Sequence, residues 1–93
     1  MKTGLVIGNI WATRKDEKLE GLKLMVVQPF NIASNEPVGE PIVAADIIGA
    51  GVTEKVIFVS GSTARVPVGQ TGAPVDATIV GIIDGQDVLD IKI

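Results

Sequence analysis

The feature that most restricts the fold of this chain is a series of short segments rich in valine and isoleucine, each bounded by turn-forming residues. Such segments are typical of strands, and they cover residues 4–11, 22–30, 40–48, 55–60, 76–84 and 88–93. In the last of them, Leu89 and Ile91 alternate with charged residues, which is the period of a strand with one buried face. No segment has the pattern of a long amphipathic helix, so the sequence predicts an all-β fold.

The segments between the strands have the composition of loops. Residues 13–21 are strongly charged and are interpreted as a solvated hairpin loop, and residues 31–41 and 67–74 contain the glycine, proline and asparagine of irregular connections. The only helical feature predicted is one turn within residues 60–65, capped by Ser60 or Ser62. We therefore expect one domain over residues 1–93: a small closed or nearly closed five-stranded β-barrel, OB-like, with a short helical turn and a C-terminal strand.

Composition adds a prediction about assembly. The chain has 93 residues, of which 46% are hydrophobic, and its mean hydropathy is +0.43. A domain of this size buries only about 60–65% of the surface of its unfolded chain. Because so small an interior cannot hide all these apolar side chains, we expect the protein to bury part of them against partners.

The charge of the chain and its lack of targeting signals argue against a nucleic-acid-binding, secreted or membrane protein. The net charge is −3, with eight basic residues against eleven acidic ones, so the basic face that a nucleic-acid partner requires is missing. The start of the chain lacks a convincing signal peptide, and no apolar run is long enough for a membrane helix. With no cysteine for disulfides, we expect a cytoplasmic protein without membrane or nucleic-acid partners.

The residues for common catalytic and metal sites are also missing. The chain contains no histidine and no cysteine, which excludes Ser-His and Cys-His nucleophiles and ordinary zinc sites. Ser62 lacks the frame of a nucleophile elbow. Asp46, Asp76 and Asp84 follow or precede strands and are interpreted as turn acids, and residues 84–87 resemble a turn more than a calcium loop. We predict no catalytic residue, no metal and no cofactor.

The segment Gly49-Ala50-Gly51 could be interpreted as a nucleotide-binding turn, because a glycine pair after an apolar run can begin a dinucleotide-binding motif. The third glycine of that fingerprint is missing, and Glu54 places an anion where a phosphate would bind. The next segment is also predicted as a strand, whereas the fingerprint requires a helix. We therefore expect Gly49 and Gly51 to be needed for positive φ angles or for close backbone approach.

Several short motifs resemble, in their order and spacing, the EutN/CcmL family of pentameric vertex proteins from bacterial microcompartment shells. They are Trp11-Ala12-Thr13 with Lys15, Gly21 with Lys23-Leu24, Asp46 with Gly49-Ala50-Gly51, Gly61-Ser62-Thr63-Ala64-Arg65, and Val75-Asp76-Ala77. The resemblance extends from Gly4 to about Asp84. There are two departures: Thr53 stands where the family often has glycine, and Thr63 replaces a serine.

The resemblance implies a β-barrel subunit of a homopentamer that closes the vertices of a polyhedral shell in the cytoplasm, next to hexameric shell proteins and around metabolic enzymes. It implies no enzymatic activity. Candidates for the subunit contact or the central pore are Asp46, Gly49, Ala50, Gly51, Ser62 and Arg65, and we expect Arg65 to pair with Asp46 or Asp76. The alternative from another class is an OB-like module that binds nucleic acid or a small ligand, which the missing basic and aromatic face disfavours.

Overall fold

The computed structural model describes residues 1–12, 14–61, 64 and 75–91. Its five strands are β1 (Lys2–Ile10), β2 (Lys23–Pro29), β3 (Ile42–Asp46), β4 (Lys55–Ser60) and β5 (Ala77–Ile82). They form a closed barrel in the order β1-β2-β3-β5-β4. All neighbours are antiparallel except β3 and β5, which run parallel over only two residue pairs. The predicted closed five-stranded barrel is confirmed.

The barrel interior is filled by side chains that alternate along the strands with outward-facing ones, as the pleat requires. Phe58, Met25 and Ile79 are the largest buried side chains, and Val6, Val27, Ala44, Ala50, Val56 and Ala77 complete the cluster. Gly4 lies on β1 within this interior. A Cβ atom at this position would collide with Cγ1 of Val27 and lie 3.2 Å from Cε1 of Phe58, so only glycine fits there.

A second apolar cluster lies outside the barrel wall. Ala45, on the opposite face of β3 from Ala44, packs with Ala64 and Val75, and the partly buried Leu19, Leu22, Leu24 and Val59 surround them. Leu19 belongs to a 3-10 turn at Glu17–Leu19, whose start is capped by the Asp16 carboxylate accepting from Lys18 N at 2.8 Å. The charged loop thus covers one side of the barrel with its apolar residues.

Two elements differ from the sequence-based expectation. No strand forms at residues 88–91, and residues 92 and 93 lie outside the described part. The C-terminal strand predicted for residues 88–93 is therefore wrong over its described residues. The barrel closes without it, so the apolar face of this segment has no sheet within its own subunit to pack on. A 3-10 helix forms at Glu17–Leu19, in the charged hairpin loop for which no helix was predicted, and Ala64 also has 3-10 conformation.

The helical turn expected within residues 60–65 is described only in part. Ala64 N donates to Gly61 O at 3.1 Å, which is the hydrogen bond of a single tight turn. Ser62, Thr63 and Arg65 lie outside the described residues. No helix in the described ranges is long and apolar enough to cross a membrane.

Candidate subunit-contact site

The turn from Asp46 to Glu54 connects β3 to β4 and contains four of the six candidate residues. Asp46 ends β3, and its carboxylate bends over the residues that follow it. Oδ1 accepts from Ile48 N at 2.9 Å and from Gly49 N at 3.1 Å, and Oδ2 accepts from Ala50 N at 2.8 Å. Three consecutive amides thus point at one buried carboxylate, which is 7% exposed as a residue.

A second carboxylate organises the other half of the turn. Glu54 Oε1 accepts from Gly51 N at 2.6 Å. Glu54 O in turn accepts from Val6 N at 3.0 Å, and Thr53 N donates to Val6 O at 2.8 Å. These two backbone bonds fix the turn to β1, at the point where β1 stops pairing with β4.

Lys23 connects the turn to β2. It pairs in register with Asp46, and its Nζ donates to Ala50 O at 2.8 Å while lying 3.6 Å from Asp46 Oδ2. The side chain of Lys23 is half exposed, so the charge pair itself contributes under about 1 kcal/mol. Its main structural effect is to satisfy the carbonyl of the buried residue Ala50.

Two residues of the turn have positive φ angles. Gly49 has φ +95°, so one of the two glycines does meet the conformational requirement that the sequence indicated. The backbone of Gly51 is ordinary, and a Cβ there would lie 3.2 Å from Glu54 Oε1. Thr53 has φ +79°, which is unfavourable for a β-branched residue. The glycine that the family often has at this position would adopt this conformation without strain.

These contacts answer the nucleotide question. Backbone amides directed at one point form an anion site, and phosphate-binding turns use them in this way. Here the anions are the chain's own Asp46 and Glu54 carboxylates, which already accept the amides of residues 48, 49, 50 and 51. The turn therefore stabilises itself with internal carboxylates in place of a phosphate. Over the described residues, no group of three acidic, histidine or cysteine side chains is arranged to hold a metal ion.

The turn presents an apolar surface at its end of the barrel. Ile47, Ile48 and Val52 are each close to half exposed, and Ile10 and Trp11 extend beside them from the end of β1. Trp11 is 87% exposed, which is exceptional for the largest apolar side chain. We call these five residues the turn-end surface.

The opposite end of the barrel carries a second apolar surface. A cavity of about 820 Å³ opens there, between the start of β1, the end of β2 and the start of β3. Its apolar lining includes Met1, Phe30, Val38, Ile42 and Val43. Each subunit thus has two different apolar ends, which is the arrangement that a heterologous contact between identical subunits requires.

The six predicted site residues are distributed unevenly. Ala50 and Asp46 are buried, Gly49 is exposed and Gly51 is half buried. Ser62 and Arg65 lie outside the described residues, so their roles and the proposed pairing of Arg65 stay predictions. Sequence reasoning noted Glu54 only as an anion that disfavours a phosphate, and it did not predict that Lys23 contacts the turn. Lys23 could be found only from the register of β2 on β3, which a single sequence does not contain.

The fold and this site define a small closed β-barrel protein with a rigid turn and two uncovered apolar ends. The family model described as ethanolamine utilisation protein EutN/carboxysome matches residues 1–84, and the chain belongs to this family. This confirms the family predicted from the motifs. The match includes all five strands and the turn from Asp46 to Glu54.

Curated relatives and solved structures agree with this assignment. The chain is 40% identical over 88 residues to the carboxysome shell vertex protein CcmL of Synechocystis sp., covering 95% of this chain and 87% of that protein. It is 42% identical to the bacterial microcompartment shell vertex protein GrpN of Rhodospirillum rubrum, covering 90% and 93%. The structure of Gloeobacter violaceus CcmL superposes with a TM-score of 0.87 at 38% identity, over 97% and 92% of the two chains.

Proposed function

We propose that this chain assembles into a homopentamer that occupies the vertices of a bacterial microcompartment shell. The observation that supports it most directly is the pair of apolar ends on a closed barrel. Ring formation covers both ends at once, because the turn-end surface of one subunit meets a different surface of the next. The pentameric GrpN shell protein from Rhodospirillum rubrum supports the same stoichiometry, with a TM-score of 0.84, 39% identity, and coverage of 95% of this chain and 100% of that one.

The proposed role is structural. The relatives are named as shell vertex proteins, and these names describe a place in a shell and no reaction. The subunit is the whole domain, residues 1–93, and it is located in the shell of a microcompartment in the cytoplasm. Hexameric shell proteins are the proposed neighbours, because a closed polyhedral sheet of hexagons needs five-fold positions at its corners.

Native mass spectrometry tests the assembly. Five copies of a 9.7 kDa chain give a particle of about 48 kDa, and this species should persist at micromolar concentration. A stable monomer or dimer under these conditions would contradict the proposal. Electron microscopy of shells formed with and without this chain then tests its place in the shell. We expect closed polyhedra when the chain is present and open or tubular sheets when it is absent.

A further inference from the structure

The segment after β5 is the largest feature that the barrel itself does not use. Residues 83–91 form no strand, and three apolar side chains in this segment, Val88, Leu89 and Ile91, face solvent. Leu89 is 79% exposed and Ile91 68%. The family match ends at residue 84, so this apolar segment lies beyond the part of the chain that the family model covers.

The beginning of this segment is anchored to the outside of its own barrel. Ile83 N donates to Lys55 O at 2.8 Å, and Gln86 Nε2 donates to Ile32 O at 3.0 Å. Past Gln86, no hydrogen bond joins residues 87–91 to the rest of the described chain. We call residues 87–91 the tail.

A groove that suits such a tail lies at the other end of β1. Its volume is about 430 Å³, and Ile10, Trp11 and Val52 of the turn-end surface lie on it, together with Leu24. Its β1 residues, Asn9 and Ile10, belong to a part of the strand that has one open edge. From Gly8 to Ile10, β1 has β2 as its only strand partner in the described ranges, since its pairing with β4 ends at Leu5. Open edges of this kind bind extended segments by strand addition.

The charges of the tail and the groove are complementary. The tail carries Asp87 and Asp90 and no basic side chain, and Lys92 follows it in the sequence. The charged residues that line the groove are Lys15 and Lys23, both basic. Exposed charges of opposite sign favour this pairing over the cavity at the opposite end, where Glu40 and Asp76 outnumber the one basic lining residue, Lys2.

Distance excludes the subunit's own tail as the occupant. Gln86 is bonded to Ile32, close to Thr3, whose backbone pairs with Phe30 near the start of β1. Trp11 follows the other end of β1, which is about 26 Å away at 3.3 Å per residue. The five tail residues span at most about 17 Å when fully extended. A tail in this groove therefore comes from a second copy of the chain.

We propose that the tail of one subunit lies extended in the Trp11 groove of the next subunit, along the open edge of β1. Leu89 and Ile91 pack toward Trp11 and Val52, and the tail aspartates face Lys15 and Lys23. This inference rests on the proposed ring and names one of its contacts. Each subunit donates one tail and accepts one, so the contact continues around the ring until it closes.

A disulfide trap tests the contact directly, because the chain has no native cysteine. A tagged Leu89→Cys chain is co-expressed with an untagged Val52→Cys chain and oxidised. We expect a tagged–untagged heterodimer on a non-reducing gel, at least tenfold more abundant than with Val43→Cys as the acceptor. Val43 is a matched control because it has the same exposure as Val52 and lies at the opposite end of the barrel.

Native mass spectrometry on the same samples separates the two proposals. Pentamers whose heterodimer yield does not exceed the Val43→Cys control would overturn the tail contact and leave the vertex function standing. Particles of 9.7 kDa alone would overturn both. Pentamers with selective cross-linking support both.

Fluorescence gives an independent measurement without cysteines. Trp11 is the only tryptophan and the chain has no tyrosine, so emission reports on this groove alone. Removal of residues 87–93 is expected to shift the Trp11 emission to longer wavelength and to raise its quenching by acrylamide at least twofold. Removal of residues 92 and 93 alone is the control, and Trp11 in this variant should stay largely protected from acrylamide. Equal spectra for the full chain and the chain ending at Gln86 would overturn the proposal.

Discussion

Lys23 and Asp46 pair in register across β2 and β3, and both reach the same buried residue of the turn that follows. Lys23 Nζ donates to Ala50 O, and Asp46 Oδ2 accepts from Ala50 N, each at 2.8 Å. The two side chains therefore satisfy both backbone polar groups of Ala50, which could not otherwise be buried at low cost. The turn owes its fixed shape to this clamp, and the apolar residues beside it are presented in one arrangement.

The first prediction concerns Asp46. Asp46→Ala removes the acceptor of three amides, one of them buried, and should lower the free energy of unfolding by about 3 kcal/mol. Asp46→Asn keeps one oxygen acceptor, so its free energy of unfolding should fall by less. Urea titration measures the stability, and amide exchange at residues 48–50 should accelerate. Asp84→Ala, at an exposed acid after β5, serves as the control and should change stability by under about 0.5 kcal/mol.

The second prediction uses two glycines of β1. Gly4→Ala inserts a methyl group against Val27 and Phe58 in the barrel interior and should destabilise the protein by about 1–3 kcal/mol. Gly8→Ala meets only ordinary contacts with Val26 at 3.8 Å, so its effect should stay within about 1 kcal/mol. Thermal or urea unfolding of both variants checks the difference. Equal effects would show that Gly4 is not in close contact with the core.

The third prediction concerns the strained threonine. Thr53→Gly should stabilise the protein by up to about 1 kcal/mol, because it removes a β-branched side chain from φ +79°. The gain is reduced by the greater freedom of glycine in the unfolded chain. Asn35→Gly is a matched control at φ +60°, where asparagine is already tolerated, and it should gain less. Loss of stability in Thr53→Gly alone would contradict the strain argument.

The fourth prediction separates the two glycines of the turn. Gly49→Val places a β-branched residue at φ +95° and should cost about 1–3 kcal/mol in each subunit. If the turn lies at a subunit contact, the pentamer should dissociate at higher protein concentration than the wild type. Gly51→Ala has no positive φ angle to maintain and meets only Glu54 Oε1, at 3.2 Å, so it should affect both properties less. Oligomer mass against concentration, with unfolding measured in parallel, tests the order of the two variants.

The same variants test the absence of a nucleotide site. Because Asp46 and Glu54 already accept the four amides of the turn, the wild-type protein should not bind ATP or NAD at millimolar concentration. Isothermal titration is the measurement. Nucleotide binding that Gly49→Val abolishes in an intact pentamer would reverse our interpretation of this turn.

The local sequence pattern predicted most strands of the barrel correctly, but it did not predict the structure of the tail. The run Lys55–Ser60 was located from its valine and isoleucine content to the residue, because strands buried on one face carry that signal locally. At Leu89 and Ile91 the same alternation predicted a strand that does not form within the subunit. The pattern records that one face is to be buried, and a single sequence does not record which molecule covers it.

The position of the candidate site could be predicted from the sequence, but several of its contacts could not. Asp46 and Gly49 were found because turn acids and glycines have local signatures. Lys23 and Val6 were missed because their contacts depend on which strands become neighbours, and this information is not local. Thr53 was visible as a departure from the family pattern, but its strain follows only from its backbone angle in the structure.

The parallel pairing of β3 with β5 has a consequence for how the subunit folds. It joins only Ala45 with Thr78 and Asp46 with Ile79, pairs that are far apart in the chain. Contacts of this kind form late, since the entropy lost in closing a long loop comes before the gain from pairing. Closure of this seam is thus expected among the late steps of folding, together with the pairing of β1 with β4, whose partners are still farther apart in the chain. Because Asp46 belongs to the seam and also holds the turn, a subunit whose seam is open is expected to lack the fixed turn that the proposed subunit contact needs.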